Sequence, residues 1–215
     1  MEQIGADERA AVCGLLGSVD ESLGAPMAPV WEAALRAVPR HAFLPATVWV
    51  GEDLVECSRE AAPEQWSRHA YADTAVVTQV NDGAAAGPGE RWASCSASAP
   101  SIVFRMLDML DVGAGHRVLE IGTGTGWNAG LLAHRLGPGR VVTVEVDEGL
   151  AAQAAGRLEG AGLDARVIHG DGSLGHEAGG PYDRVVATCS VRAVPPAWIA
   201  QTRPGGVVLV PCGLG

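Results

Sequence analysis

Val118-Leu119-Glu120-Ile121-Gly122-Thr123-Gly124-Thr125-Gly126-Trp127-Asn128 is an apolar strand that delivers three alternating glycines to the start of a helix. Glycine suits that turn because it is tight and because a ligand can approach the bare backbone closely. The chain downstream keeps the same rhythm. Strands are expected at 117–121, 141–146, 166–169, 184–188 and 207–210, with helices at 128–136, 149–158 and 196–201. Five strands joined by right-handed crossovers make an α/β domain with a doubly wound, mostly parallel Rossmann-like sheet. An apolar edge strand at 207–210 is unprotected, so either another segment covers it or the sheet lacks its last strands.

Upstream the texture changes. Residues 1–100 hold four of the six tryptophans and most of the irregular polar stretches, and read as a helical and irregular extension to an α/β core at 101–215. Val30, Trp31, Ala34, Leu35 and Val38 share one face of a helix that Pro39 stops. Residues 75–80 have strand composition and run into the turn Asn81-Asp82-Gly83, after which 83–89 reads as a surface loop. Ile102, Val103, Met106, Leu107 and Leu110 repeat at helical spacing, with Ser98 as the expected N-cap.

Composition narrows the class. An apolar fraction of 47% with 19% charged residues in 215 residues supports a packed core. No stretch approaches the roughly 20 apolar residues of a membrane span, and the acidic start lacks the pattern of a signal peptide. A net charge of −10 speaks against a phosphate backbone as partner. The expectation is a soluble, cytoplasmic protein with neither a nucleic-acid nor a membrane partner. Cys13, Cys57, Cys95, Cys189 and Cys212 are scattered and read as reduced, mostly buried thiols. The six histidines show no ligand spacing, so no metal is expected. Arg40 and Arg68 read as solvated surface cations able to attract a carboxylate-bearing peptide.

The glycine loop departs from two familiar patterns. Trp127 stands where a dinucleotide fingerprint has its third glycine, and no P-loop lysine follows. Instead Glu120 sits two residues before the first glycine. A carboxylate there can meet an ammonium group, which NAD lacks and S-adenosylmethionine has. Glu145 ends the next strand where ribose hydroxyls are usually bound, with Asp147 as competitor. Gly170-Asp171-Gly172 puts a third acid at a strand end, suited to an adenine amino group. Trp127 either shelves part of the ligand or packs behind the helix.

VLEIGTGTGWNAGLLA, VVTVEVDEGLA, GDGSLG, PYDRVVAT and RPGGVVLVPCG, in this order, resemble the class I methyltransferase domain of protein-L-isoaspartate O-methyltransferases. The resemblance reaches back to Val38-Pro39-Arg40-His41-Ala42-Phe43-Leu44-Pro45, to Ala70-Tyr71-Ala72-Asp73 and to Ser98-Ala99-Pro100. It implies S-adenosyl-L-methionine as cofactor, S-adenosyl-L-homocysteine as product, and a peptide or protein bearing Asp or isoAsp as substrate. It implies a substrate-side role for 1–100, and a cofactor set of Glu120, Gly122, Thr123, Gly124, Gly126, Trp127, Asn128, Glu145, Val146, Asp171 and Gly172. Ser98 is the implied catalytic residue, holding the substrate carboxylate, with Ser96, Thr188 and Ser190 as substrate contacts and Ser94 able to substitute. Two departures stand out: Cys95 and Ala97 replace a glutamine and an isoleucine of the family pattern, and residues 78–83 are an added element. They resemble members that esterify a genuine aspartate in ribosomally made peptides (lanthipeptide, lasso or graspetide precursors).

A carboxylate is already ionised at neutral pH, so methyl transfer to it needs positioning and removal of water rather than a strong base. The ester then closes to a succinimide (aspartimide) when the following amide nitrogen expels methanol. Two rival readings remain open: a small-molecule methyltransferase of the same fold, and a non-catalytic cofactor-binding partner in a peptide-maturation complex.

Overall fold

A computed structural model describes residues 6–84 and 91–211, in a chain that divides into two compact units, 1–105 and 106–215. The expected loop at 83–89 and Cys212 lie largely or wholly outside the described residues. In the first unit, α1 (Ala6–Leu23) buries Val12, Leu15 and Val19 along one stripe, and α2 (Pro29–Ala37) buries Trp31, Ala34 and Leu35. Pro29 suits the first turn of α2, where its missing N–H costs nothing.

The unit also holds a sheet. Strands β1 (Thr47–Val50), β2 (Val55–Ser58), β3 (Val76–Val80) and β4 (Ala93–Ala97) pair antiparallel in the order β2-β1-β3-β4. Helix α3 (Pro63–Ala70) covers it, closing a core of Leu44, Val48, Cys57, Trp66, Ala70, Val76 and Ala97. The sequence reading found only β3 among these strands, although β1, Thr-Val-Trp-Val, carries the same β-branched signature. β4, Ala-Ser-Cys-Ser-Ala, has none, and is a strand because β3 offers it a ladder.

Arg40 is not a surface cation. It is fully buried in a short 3-10 turn, and its guanidinium lies 2.9–3.4 Å from six backbone carbonyls: His69, Ala70, Ala72, Thr74, Ala97 and Ser98. Burial lowers its pKa to about 10, still charged at neutral pH. Arg68 is exposed, as expected. Ser98 is not the cap of the following helix either. Helix α4 (Pro100–Leu110) takes its first turn from the Ala99 carbonyl, and its Ser101 N–H donates to Asp73 Oδ1 at 2.7 Å. The other Asp73 oxygen accepts from Ser22 Oγ at 2.6 Å. A distant carboxylate with two acceptor oxygens therefore does the capping and ties three segments together.

The second unit is the parallel sheet, in the order β7-β6-β5-β8-β9. Its strands are β5 (Val118–Ile121), β6 (Val141–Glu145), β7 (Ala165–His169), β8 (Tyr182–Ala187) and β9 (Thr202–Leu209), with α5 (Trp127–Leu136), α6 (Glu148–Gly160) and α7 (Pro196–Gln201) as connections. β5, β6 and β8 are buried along their whole length, which is why they read as mostly apolar, with Glu120, Thr143, Glu145, Asp183 and Arg184 as buried polar exceptions. From β5 the chain winds outward through β6 to β7, then returns to start β8 on the other side. The carboxyl end of β5 is thus the switch point at which ligands bind in such sheets. β9 begins five residues before the expected strand, with a register break between Tyr182↔Thr202 and Arg184↔Val207, and it pairs only with β8 among the described residues. Among the described cysteines only Cys57 is buried; Cys95 is half-buried, and Cys13 and Cys189 are exposed. Cys13 stands on the outer face of α1, Cys95 in the middle of β4 and Cys189 just past β8, so the expectation of mostly buried thiols does not hold for these three.

Replacing Arg40 by lysine leaves one nitrogen to serve carbonyls from several segments. R40K should lose about 3 kcal/mol of stability in urea unfolding, whereas R68A should stay within about 0.5 kcal/mol of the wild type.

Candidate functional site

The glycine loop leaves β5 with three left-handed residues, Gly122 (φ 89°), Gly124 (φ 53°) and Gly126 (φ 87°). At Gly122 a side chain is excluded twice, by the backbone and by Thr188 Oγ1, which a Cβ would meet at 2.9 Å. At Gly126 a Cβ would press on Ala154 of α6 at 3.2 Å, so this glycine also sets the approach of two helices. The Thr188 hydroxyl donates to the Gly122 carbonyl, tying the end of β8 to the loop.

Beneath the loop runs a polar chain. Thr143 Oγ1 donates to Glu120 Oε2 at 2.6 Å, Asn128 Nδ2 donates to Glu120 Oε1 at 2.6 Å, and Thr123 Oγ1 meets Thr143 Oγ1 at 2.7 Å. Because the one Thr143 proton goes to Glu120, Thr123 is the donor in the last of these. Glu120 is 0% exposed. Burial pushes its carboxyl up to about 7, the Thr143 and Asn128 hydrogen bonds oppose the rise, and the nearby Glu145 charge adds to it.

Glu145 accepts from three backbone N–H groups, Gly124 at 2.8 Å, Val146 at 2.9 Å and Asp147 at 3.2 Å, and so clamps the loop to the end of β6. Two carboxylate oxygens can take about four hydrogen bonds, so capacity for a further donor remains. Asp147, the competitor, is occupied as the N-cap of α6, accepting from Leu150 N at 2.8 Å. Val146 beside them is an exposed apolar side chain, 72% accessible. Asp171 is exposed and caps its own short turn through Ser173 N; that hydrogen bond holds its carboxyl below the usual range. A Cβ on Gly172 would lie 2.6 Å from Ile121 Cγ2, so the turn after β7 packs directly on β5.

These residues lie at the carboxyl ends of adjacent strands of one sheet. Trp127 is buried, and its place is in the packing of α5 rather than on an open face. Ser190 is exposed just past β8. Ser98 and Ser96 belong to the first unit. Ser96 is exposed on β4, and the half-buried Ser98 offers its carbonyl to Arg40 while its hydroxyl makes no hydrogen bond among the described residues.

Neither Glu120 nor Glu145 has a cationic partner among the described residues. Two neighbouring acids without a counter-ion among the described residues favour a ligand that carries positive charge, and the left-handed glycines and the exposed Val146 suit the close approach of a nucleoside. The residues therefore fit S-adenosylmethionine.

Residues 46–215 match the family model described as protein-L-isoaspartate(D-aspartate) O-methyltransferase. The chain belongs to this family. Among relatives of this family member, a protein-L-isoaspartate O-methyltransferase of Methanosarcina mazei is 34% identical over 186 residues, covering 86% of this chain and 63% of the relative. Protein-L-isoaspartate O-methyltransferase 2 of Archaeoglobus fulgidus is 34% identical over 182 residues, 84% of this chain and 69% of that protein. The chain thus spans somewhat under two thirds of the length of the first relative. A solved protein-L-isoaspartate O-methyltransferase structure superposes with a TM-score of 0.70 at 25% identity, over 94% of this chain and 55% of the other.

Thr143 was missed in the sequence, though its signal was there: one hydroxyl in the otherwise apolar run Val141-Val142-Thr143-Val144. Asp73 gave no such signal, because its partners stand 28 and 51 residues away.

The raised Glu120 pKa has a sign that can be checked. The folded protein holds this proton more tightly than the unfolded chain, whose glutamate titrates near 4.5, so its contribution to stability is complete below about pH 4.5 and is lost as pH rises through about 7. E120Q should flatten that fall, worth on the order of 3 kcal/mol, in urea midpoints measured between pH 4.5 and 8.

Proposed function

We propose that the protein is an S-adenosylmethionine-dependent carboxyl O-methyltransferase that esterifies the side chain of an aspartyl or isoaspartyl residue in a peptide or protein. The observation that carries this reading is the carboxyl end of β5, where two acids without a cationic partner among the described residues stand beside a left-handed glycine loop, in a chain of this family. The cofactor, when bound, supplies a methyl group on a positively charged sulfur. Gly122, Thr123, Gly124 and Gly126 would give it backbone contacts, and Glu145 would accept from ribose hydroxyls. Val146 would lie against the base, with Asp171 and Gly172 near its amino group. Glu120 is sealed from solvent, so it would act through Asn128 and through its negative charge rather than by touching the ligand.

The acceptor carboxylate arrives ionised, and the work left to the protein is to hold it and exclude water. Ser98 would hold it through a hydroxyl that no described group engages, and Ser96, exposed on the preceding strand, would add a contact. Thr188 would keep the glycine loop in place through the Gly122 carbonyl, and Ser190 would meet substrate at the end of β8. The finer reading, that the substrate is a ribosomally made peptide whose ester closes to a succinimide, is supported by Cys95, Ala97 and the added element at 78–83.

The test is mass spectrometry of an isoaspartyl peptide and a ring-constrained aspartyl peptide after incubation with enzyme and S-adenosylmethionine. Methyl gain on the first alone is the outcome for a repair-type enzyme; methyl gain followed by loss of methanol on the second is the outcome for a peptide-tailoring enzyme. No change in either, with S-adenosylhomocysteine still bound in calorimetry, overturns the catalytic reading in favour of a binding partner. E145A should weaken S-adenosylhomocysteine binding about tenfold or more. S98A should lower kcat/KM about 10- to 100-fold while leaving that affinity unchanged.

A further inference from the structure

Glu120, Thr143 and Thr123 form a chain of hydrogen bonds that leads from a sealed carboxyl to the glycine loop. Its links are 2.6 Å between Glu120 Oε2 and Thr143 Oγ1, and 2.7 Å between Thr143 Oγ1 and Thr123 Oγ1. Glu120 and Thr143 are fully buried, and the outer end, Thr123, stands in the loop between Gly122 and Gly124.

The chain is complete in two proton arrangements. With Glu120 ionised, Thr123 donates to Thr143 and Thr143 donates to Glu120. With Glu120 protonated, the carboxyl donates to Thr143, Thr143 donates to Thr123, and the Thr123 proton is left for a group at the loop. No oxygen has to move between the two. One proton shift along each link, with the last proton passing from Thr123 to solvent, turns the second arrangement into the first. Asn128 Nδ2 donates to the other carboxyl oxygen, Oε1, in both. The sealed acid can thus lose or regain a proton without leaving a buried group unpaired.

The surroundings decide which arrangement is held. β6 brings the Glu145 carboxylate near. Just past β8 stands Cys189, whose thiol is held above the usual range by burial and then by the Glu145 and Glu120 charges. From β7, His169 meets the Val146 carbonyl through Nε2 at 3.2 Å. From α6, Arg157 reaches the Thr125 carbonyl at 3.4 Å, and Asp147 caps its own helix. Glu120 itself has no cationic partner among the described residues. A charge shut away from water without a counter-ion is costly, so burial favours the protonated arrangement, and a pKa of about 7 leaves both populated at neutral pH. A positive charge brought to the loop tips the balance to the ionised one.

We propose that this chain is a proton switch that reads the charge of the ligand at the glycine loop: Glu120 gives up its proton to solvent when S-adenosylmethionine binds, and gives up less of it to S-adenosylhomocysteine, which lacks the sulfonium charge. The site then favours substrate over product more strongly as pH rises. The proposal rests on the reading of the glycine loop as the cofactor site. Glu120 and Thr143 are positioning residues in it, acting through Thr123, Asn128 and charge without touching the ligand.

The test is calorimetry of each ligand with the full chain, without peptide, at pH 6, 7 and 8 in pairs of buffers whose protonation heats differ, which counts the protons released. With S-adenosylmethionine the wild type should release about half a proton at pH 7 and about a tenth at pH 8. Its affinity should rise about fivefold or more from pH 6 to pH 8, and that for S-adenosylhomocysteine should rise less. E120Q should abolish the difference in proton release between the two ligands. T143V withdraws a hydrogen bond that lowers the Glu120 pKa, so its release at pH 8 should exceed that of the wild type, and T143S should restore the wild-type profile. Equal release by E120Q and the wild type, equal release with the two ligands, or a T143V profile that matches the wild type overturns the switch and leaves the cofactor site standing. Binding of neither ligand overturns both. Release that depends on Glu120, without methyl gain on either peptide of the mass-spectrometric test, keeps the switch and sinks the catalytic reading.

Discussion

A guanidinium sealed among carbonyl oxygens holds the N-terminal unit together. The Arg40 side chain brings the end of α3, the turn at Ala72 to Thr74, and the end of β4 within reach of one planar group. None of these segments is regular enough to satisfy its own backbone, and a buried carbonyl without a donor is costly. Carbonyl dipoles around the side chain help to keep its charge. Asp73 stands near enough to favour the charge, but it is committed to Ser101 and Ser22. Three short pieces of family-like sequence that look unrelated on paper, around Arg40, Tyr71 and Ser98, thus form one structural joint.

The α/β unit has the opposite arrangement, a carboxyl group sealed away with no cationic partner among the described residues. Glu120 is kept in place by two donors, Thr143 and Asn128, while burial and Glu145 raise its pKa. Such a group is held at the edge of ionisation, and any bound positive charge favours the ionised form. Binding of a cationic ligand and proton release from Glu120 are therefore linked. The second acid, Glu145, is partly neutralised by backbone N–H groups, one from Gly124 of the loop that the ligand would approach and two from Val146 and Asp147 just after β6. The loop is held ready before anything binds.

Much of this was legible in the sequence, for physical reasons. Strands buried on both faces leave apolar runs, and a left-handed turn leaves glycines, so 117–210 declared its sheet and its ligand end. The first hundred residues were harder. β1, β2 and β4 are four or five residues long, and β4 is made of alanine, serine and cysteine, so only the ladder to β3 identifies it. Arg40 was misread because an arginine between Pro39 and His41 gives no sign of how many carbonyls the fold will turn toward it. Ser98 was given a capping role by local spacing, and a carboxylate from elsewhere in the chain took that role instead. Local rules fail where the partner is remote.

The two extra residues in the β3–β4 ladder, Thr78 and Ser94, cancel. Val76↔Ala97 and Val77↔Ser96 lie on one side of the disturbance and Val80↔Ala93 on the other, and the alignment of the two strands is the same on both sides. An insertion in one strand is matched by an insertion in its neighbour, so the pleat recovers its phase and the register near Ser98 is unchanged. The segment between the bulges can then drift in sequence while the strand residues on either side keep their alignment. In evolutionary terms this is modularity at the scale of a few residues.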